Sequence, residues 1–270
     1  MIAAVDSPYG FIFITQDEKG LRRLHIDTIM ITQSVYDPSS SLLDSHYYYN
    51  YFAVLPTMLE DPQSVLILGH AGGTFTRLFN AYYPELEITG VELDPEVSAL
   101  SKAYMGLDSA KLDLFHSDAR AFLLQSSQRY DLILVDAYHG ASIPAHLATR
   151  EFFELCAEHL NEGGLLAVNV ASGESEFLTV FENTLAHPFG EVFSAPIPGS
   201  FNTLLLTGKE ARYEPVQNLD PALQEKWRGL QREGPEVRAH DSEAPLFEDD
   251  KLSQVELLNE AMLMQLLEGF

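Results

Sequence analysis

The chain has 270 residues, 46% of them hydrophobic, and 16 Lys and Arg against 40 Asp and Glu for a formal net charge of −24. Such a length admits one large domain with smaller appendages, and such a hydrophobic share builds a core and excludes a disordered chain. So acidic a surface repels phosphate, which excludes a nucleic acid partner; it suits a polycationic substrate such as a polyamine, or plain solubility, or a source adapted to salt or acid. The longest apolar runs, such as Ser64–Leu68 and Leu132–Val135, are strand-length, far from the roughly 18 residues of a membrane span. Met1–Pro8 has no basic stretch followed by an apolar one, so no signal peptide is expected. Cys156 is the single cysteine, which rules out an intrachain disulfide and argues against a thiolate zinc site. A soluble, cytoplasmic protein without membrane association is expected.

In chain order, Phe11–Thr15 and Leu21–Ile26 are β-rich runs around the turn cluster Asp17-Glu18-Lys19-Gly20, and Thr28–Val35 reads as a third strand. Asp44 through Leu59 reads as a helix carrying Tyr47, Tyr48, Tyr49, Tyr51 and Phe52. From Ser64 the pattern becomes alternating strands and helices, with strands at Ser64–Leu68, Ile88–Leu93, Lys111–His116, Tyr130–Asp136 and Gly164–Val170. That alternation predicts a doubly wound α/β fold with a mostly parallel sheet covered on both faces. Ser194–Ile197 and Asn202–Thr207 flank Pro198-Gly199-Ser200 and predict a closing pair with at least one antiparallel strand. In the acidic tail, Asp220-Pro221 starts one helix, and Ser253-Gln254-Val255-Glu256 has the capping-box pattern of another, leading into Leu257, Leu258, Met262 and Leu266. The loop His240–Asp250 joins the two. The expected organisation is a small β domain with its linking helix over 1–60, a nucleoside-binding domain over 61–208 and a helical acidic extension over 209–270.

Chemistry concentrates where strands end. In Val65-Leu66-Ile67-Leu68-Gly69-His70-Ala71-Gly72-Gly73-Thr74 a strand enters a Gly-rich turn and then a helix, so backbone N–H groups can approach a ligand closely. Glu92 ends the next strand, where a carboxylate can accept hydrogen bonds from both ribose hydroxyls; Asp94, before Pro95, reads as a helix cap. Asp118, followed by Ala119, ends the third strand and can receive an adenine amino group, and Asp136 ends the fourth. Four consecutive strands thus aim polar groups at one crevice. A dinucleotide site is the natural competitor, but carboxylates after strands three and four suit a cationic, phosphate-free nucleoside better than a pyrophosphate. His46, His70, His116, His139 and His146 lack metal-ligand spacing.

These residues resemble the spermidine synthases, the polyamine aminopropyltransferases within the broader methyltransferase fold. The resemblance is carried by Val65–Thr74, Gly90-Val91-Glu92-Leu93-Asp94, His116-Ser117-Asp118-Ala119, Tyr130–Asp136 and Leu160-Asn161-Glu162-Gly163-Gly164, with Tyr48–Pro56 upstream in place of the family's tyrosine helix. It implies a Rossmann-like, seven-stranded sheet, decarboxylated S-adenosylmethionine as co-substrate, an amine or polyamine acceptor and a homodimer. It also implies a nucleoside site of Gln33, Gly69, Ala71, Gly72, Gly73, Glu92, Asp118, Ala119 and Asp136. Three family carboxylates are replaced: Gly72 stands in the Gly-rich loop, His139 three residues after Asp136, and Asn50 next but one after Tyr48.

Aminopropyl transfer needs a neutral amine to attack the carbon beside a sulfonium, with methylthioadenosine leaving. Asp136 is the expected base or amine orienter, with Tyr48, Tyr138 and His139 assisting. Methyl transfer from intact S-adenosylmethionine is the main alternative, since Gly72 removes a charge that would repel that cofactor's carboxylate. A catalytically weak nucleoside-binding homologue is the third reading.

Overall fold

The structure is a computed structural model describing residues 1–40, 47–107, 111–216 and 219–268, without the side chains of 265–268. Asp44 and His46, and the side chain of Leu266, lie outside the described residues.

Four antiparallel strands, β1 (Ala3–Ser7), β2 (Gly10–Gln16), β3 (Arg22–Ile26) and β4 (Ser34–Tyr36), form an N-terminal sheet in sequential order. The β-run expected over Thr28–Val35 is a strand only from Ser34. Asp27, at a left-handed φ of +59°, ends β3, and its carboxylate accepts from the Phe11 N–H at 2.8 Å. Among the described residues of the helix expected from Asp44 to Leu59, only α1 (Tyr49–Phe52) and a 3-10 turn at Leu55–Met58 are helical. Pro56 explains the break, because its ring would clash with the Phe52 carbonyl one turn back.

Among the described residues the main sheet has eight strands in the order β12-β10-β11-β9-β8-β5-β6-β7, one more than expected. Its parallel part is β5 (Ser64–Leu68), β6 (Glu87–Glu92), β7 (Asp113–His116), β8 (Tyr130–Val135) and β9 (Leu160–Ala171). β10 (Glu191–Pro196) and β11 (Asn202–Thr207) close it antiparallel, as the turn between them predicts. The additional strand, β12 (Glu236–Ala239), comes from the tail and pairs with β10.

β5 is buried on both faces, and its side chains alternate between two cores. Leu66 and Leu68 join a core with Leu123 of α4 (Ala119–Gln125), Phe152 and Phe153 of α5 (Arg150–Glu158) and Phe177 and Phe181 of α6 (Glu176–Ala186). Val65 and Ile67 face Phe75, Leu78 and Phe79 of α2 (Thr74–Tyr82), the α1 aromatics and Leu223 and Leu230 of α7 (Pro221–Arg232). Each fully buried aliphatic side chain contributes about 1.5–3 kcal/mol. The N-terminal sheet packs Ile12, Ile14 and Leu24 onto Val97 and Met105, at α3 (Pro95–Tyr104) and just beyond it.

Asp220 caps α7 as expected, its carboxylate accepting from the Ala222 N–H at 2.8 Å. The last helix, α8 (Leu252–Glu268), begins before Ser253 because a 3-10 turn at Asp249–Lys251 leads into it, so Ser253 lies inside the helix and is not its cap. Phe247, Val255 and Met262 complete the core on the α5–α6 face. Among the described residues no helix is long and apolar enough to cross a membrane.

Candidate active site

Strand order reverses where β5 lies between β6 and β8, and at such a switch point the carboxyl ends of the strands diverge to leave a crevice. The loop after β5 enters it. Gly69 has φ +88°, and a Cβ there would stand 2.3 Å from the Asp136 carbonyl oxygen, so only glycine lets the two loops pass. Ala71 (φ +46°) continues the turn, and Gly73 (φ +77°) is the N-cap of α2.

This loop is held from three sides. The Ser34 hydroxyl accepts from the Gly72 N–H at 2.8 Å. Arg77 donates to the carbonyls of Gly72 (2.6 Å), Met105 (2.7 Å) and Val35 (2.8 Å) and lies over the Tyr36 ring. The Glu92 carboxylate accepts from the Ala71 N–H at 2.8 Å and the Asp94 N–H at 3.0 Å. Burial raises its pKa, resisted by those N–H bonds. His70 is structural: its Nε2 meets the Thr76 hydroxyl at 2.8 Å, and burial lowers its pKa to about 4, keeping the ring neutral. Gly72 is constrained by packing. Its φ is not left-handed, but a Cβ there would lie 2.6 Å from the Ser34 Cβ, so the loop has no open space for a side chain at 72.

At the end of β8, Asp136 is half-buried between two donors, the Tyr48 hydroxyl at 2.9 Å and the Asn169 amide at 2.7 Å. Burial pushes its carboxyl up to about 7, although both hydrogen bonds favour the charged form. Burial and the neighbouring Asp136 raise the Tyr48 phenol well above its ordinary value, so its proton stays in place to be donated. Tyr48 is the aromatic that reaches the carboxylate. Tyr49 is core, its hydroxyl near the Thr32 carbonyl; Tyr51 packs against Gly229; Arg23 donates to the Tyr47 hydroxyl at 3.3 Å. Asn50 is buried.

The other expected residues have the following partners within the fold. The Tyr138 hydroxyl donates to the Asn169 carbonyl and accepts from the Ala171 N–H, which makes it a brace between β8 and β9. His139 is exposed, its backbone pairing with Ser142. Gln33 donates to the Gly140 carbonyl at 3.1 Å and so ties the N-terminal sheet to the loop after β8. Asp118 caps α4 through the Ala121 N–H at 2.9 Å, and its other oxygen meets His146 Nε2 at 2.7 Å; Ala119 is buried behind it. Asp94 caps α3, as expected. Asn169 is the residue sequence reasoning missed. Its signal was an amide inside the apolar run Leu165–Val170, where a buried polar side chain requires a partner.

Residues 45–186 match the spermine/spermidine synthase domain. The chain is 30% identical over 243 residues to a probable polyamine aminopropyl transferase of Bifidobacterium longum, covering 82% of this chain and 54% of that one. It is 32% identical over 174 residues to a polyamine aminopropyltransferase of Vibrio vulnificus, covering 60% and 58%. The chain thus spans a little over half the length of these relatives. The structure of a probable spermidine synthase from Corynebacterium glutamicum superposes with a TM-score of 0.72 at 22% identity, covering 92% of this chain and 96% of that one, and shares the fold. On the domain match and the crevice it builds, the chain belongs to the spermine/spermidine synthase family.

Proposed function

We propose that the chain transfers an aminopropyl group from decarboxylated S-adenosylmethionine to an amine or polyamine acceptor. The observation that carries this reading is Asp136, held between Tyr48 and Asn169 with a carboxyl near 7 at the switch point of the sheet. An alkylammonium must lose a proton before its nitrogen can attack. A carboxylate near neutrality accepts that proton far better than one near 3.8. The amine nitrogen then bonds to the carbon beside the sulfonium as the carbon–sulfur bond breaks, and methylthioadenosine leaves.

In this reading the Gly69–Gly73 loop lies against the nucleoside, Glu92 accepts from the ribose hydroxyls and Asp118 faces the adenine amino group. Glu92 fits the role, since backbone N–H groups, among them those of Ala71 and Asp94, hold its carboxylate at the end of β6, and a carboxylate has about four acceptor sites in all. Asp118 fits only while keeping its cap and its His146 contact. His139, exposed on the loop after Asp136, is read as an accessory at the acceptor end, and assembly is read as a homodimer. Incubation with decarboxylated or intact S-adenosylmethionine and a panel of amines, followed by mass spectrometry, tests the reading. Methylthioadenosine and an aminopropylated acceptor are expected. Formation of S-adenosylhomocysteine, or nucleoside binding without turnover, would refute it.

A further inference from the structure

Behind Asp136 a line of hydrogen bonds crosses the sheet edge. The Asn169 Nδ2 donates to Asp136 Oδ1 at 2.7 Å, the Asn202 Nδ2 donates to Asn169 Oδ1 at 2.9 Å, and the Ser200 hydroxyl donates to Asn202 Oδ1 at 2.5 Å. Asn202 is opposite Ala171 in the antiparallel β9–β11 ladder, so Asn169 and Asn202 are diagonal neighbours whose side chains share a face. Asn169 is buried, whereas Ser200 lies in the turn between β10 and β11.

An Asn amide fits its site in two orientations, and only one of them presents N–H to a carboxylate. Turned over, Asn169 would bring its carbonyl oxygen against Asp136 and oppose the charged form. The line of bonds supports that orientation along its whole length. The Asn202 backbone N–H, which can only donate, gives its hydrogen to Ser200 Oγ at 3.1 Å. Ser200 Oγ keeps a second lone pair, but its proton goes to Asn202 Oδ1, and with that bond made Asn202 Nδ2 faces Asn169 Oδ1 and Asn169 Nδ2 faces Asp136. The ionised carboxylate, which can only accept, favours the same direction from the near end.

We propose that Asn202 is a positioning residue for the active-site carboxylate: fixed by Ser200, it holds the Asn169 amide with its N–H toward Asp136. The idea deepens the transfer reading and rests on it for its catalytic meaning, but the orientation of the amide does not depend on turnover. The groups around Asp136 that respond to its charge are Tyr48 and Tyr49 from the α1 segment and Tyr138 from the loop after β8, all neutral phenols. Asn169 therefore supplies one of two neutral donors to the carboxylate, and its direction sets how readily Asp136 ionises.

The test is a carbon-13 NMR titration of the full chain labelled at aspartate carboxyls, with the Asp136 signal assigned by its loss in Asp136→Asn. In Asn202→Ala the midpoint should move to higher pH by about half a unit or more, part of the roughly one to two units that a whole hydrogen bond to a charged group is worth. Ser200→Ala should move it the same way by less, and it carries the test should Asn202→Ala fail to fold. In the transfer assay the acid limb of kcat should follow the midpoint, with the KM for the nucleoside unchanged. Superimposable titrations in folded variants, or a kcat lowered evenly at every pH, would overturn the proposal. A shifted midpoint in a protein that transfers no aminopropyl group would support the positioning role and sink the reaction instead.

Discussion

Replacing Asp136 with Asn probes the site before any substrate is known. Burial moves the carboxyl from its ordinary 3.8 to about 7. Between those values the folded chain holds a proton that the unfolded chain has released. Ionisation therefore costs stability progressively as pH rises through the window, and the cost levels off above about 7. A gap of about 3 pH units at 1.36 kcal/mol each sets a ceiling of about 4 kcal/mol. The side chain is only half-buried, so solvent screening reduces the expected figure to about 1–3 kcal/mol. Asn keeps the shape without the charge: its Oδ1 accepts from Asn169, and its Nδ2 donates to the Tyr48 oxygen once that hydroxyl turns. Asp136→Asn should thus be more stable than wild type at pH 8, by several degrees in Tm at about 2–4 °C per kcal/mol. The advantage should shrink by more than half at pH 5. Turnover should fall about 10²–10⁴-fold, the usual worth of a positioned proton acceptor. Thermal unfolding by circular dichroism at pH 5, 6, 7 and 8 measures the stability gap. An Asn variant less stable at pH 8, or a gap that does not change with pH, would refute the reasoning.

Glu92→Ala should weaken methylthioadenosine binding about 10- to 100-fold by calorimetry, since each lost hydrogen bond to the charged carboxylate is worth about 1.5–3 kcal/mol; unchanged affinity in a folded variant would misplace the ribose. Gly72→Asp, which the sequence alone suggests as a way to restore preference for the decarboxylated co-substrate, should instead destabilise the chain by about 1–3 kcal/mol, because its Cβ meets the Ser34 Cβ at 2.6 Å. Adding Ser34→Gly should recover part of that loss and allow a modest shift in preference by competition binding. A single variant as stable as wild type would show that the loop yields.

The alternating elements from Ser64 to Thr207 were legible because strands buried on both faces are continuous apolar runs, and because Gly69, Glu92, Asp118 and Asp136 fall where those runs stop. β1 was not legible: Ala3–Ser7 is short, only half-buried on alternate residues, and gains its order by pairing with β2. β12 is exposed along its length and is placed by backbone pairing with β10 and by the Arg238–Glu182 ion pair, neither of which leaves a periodic trace. Within the site, Tyr48 and Asp136 could be chosen from the pattern, and the structure brings them together at 2.9 Å. The duties of Gln33, Tyr138 and Asp118 depend on contacts between distant segments, and so does the amide behind Asp136, which no local spacing encodes.

The tail has a consequence for how the chain comes into being. Every side chain the chemistry calls on has been synthesised by Asn202, yet one face of the sheet waits for Phe247, Val255 and Met262. The last helix and the turn before it also reach back, with Asn259 donating to the Ile143 carbonyl and Asp249 accepting from Arg120 and Thr149. A nascent chain halted before Phe247 would carry the complete crevice and leave the apolar faces of α5 and α6 uncovered, the kind of surface that drives aggregation or recruits chaperones. Premature stop codons there should therefore act as loss-of-fold alleles, although they spare every residue that touches substrate in the proposed reaction.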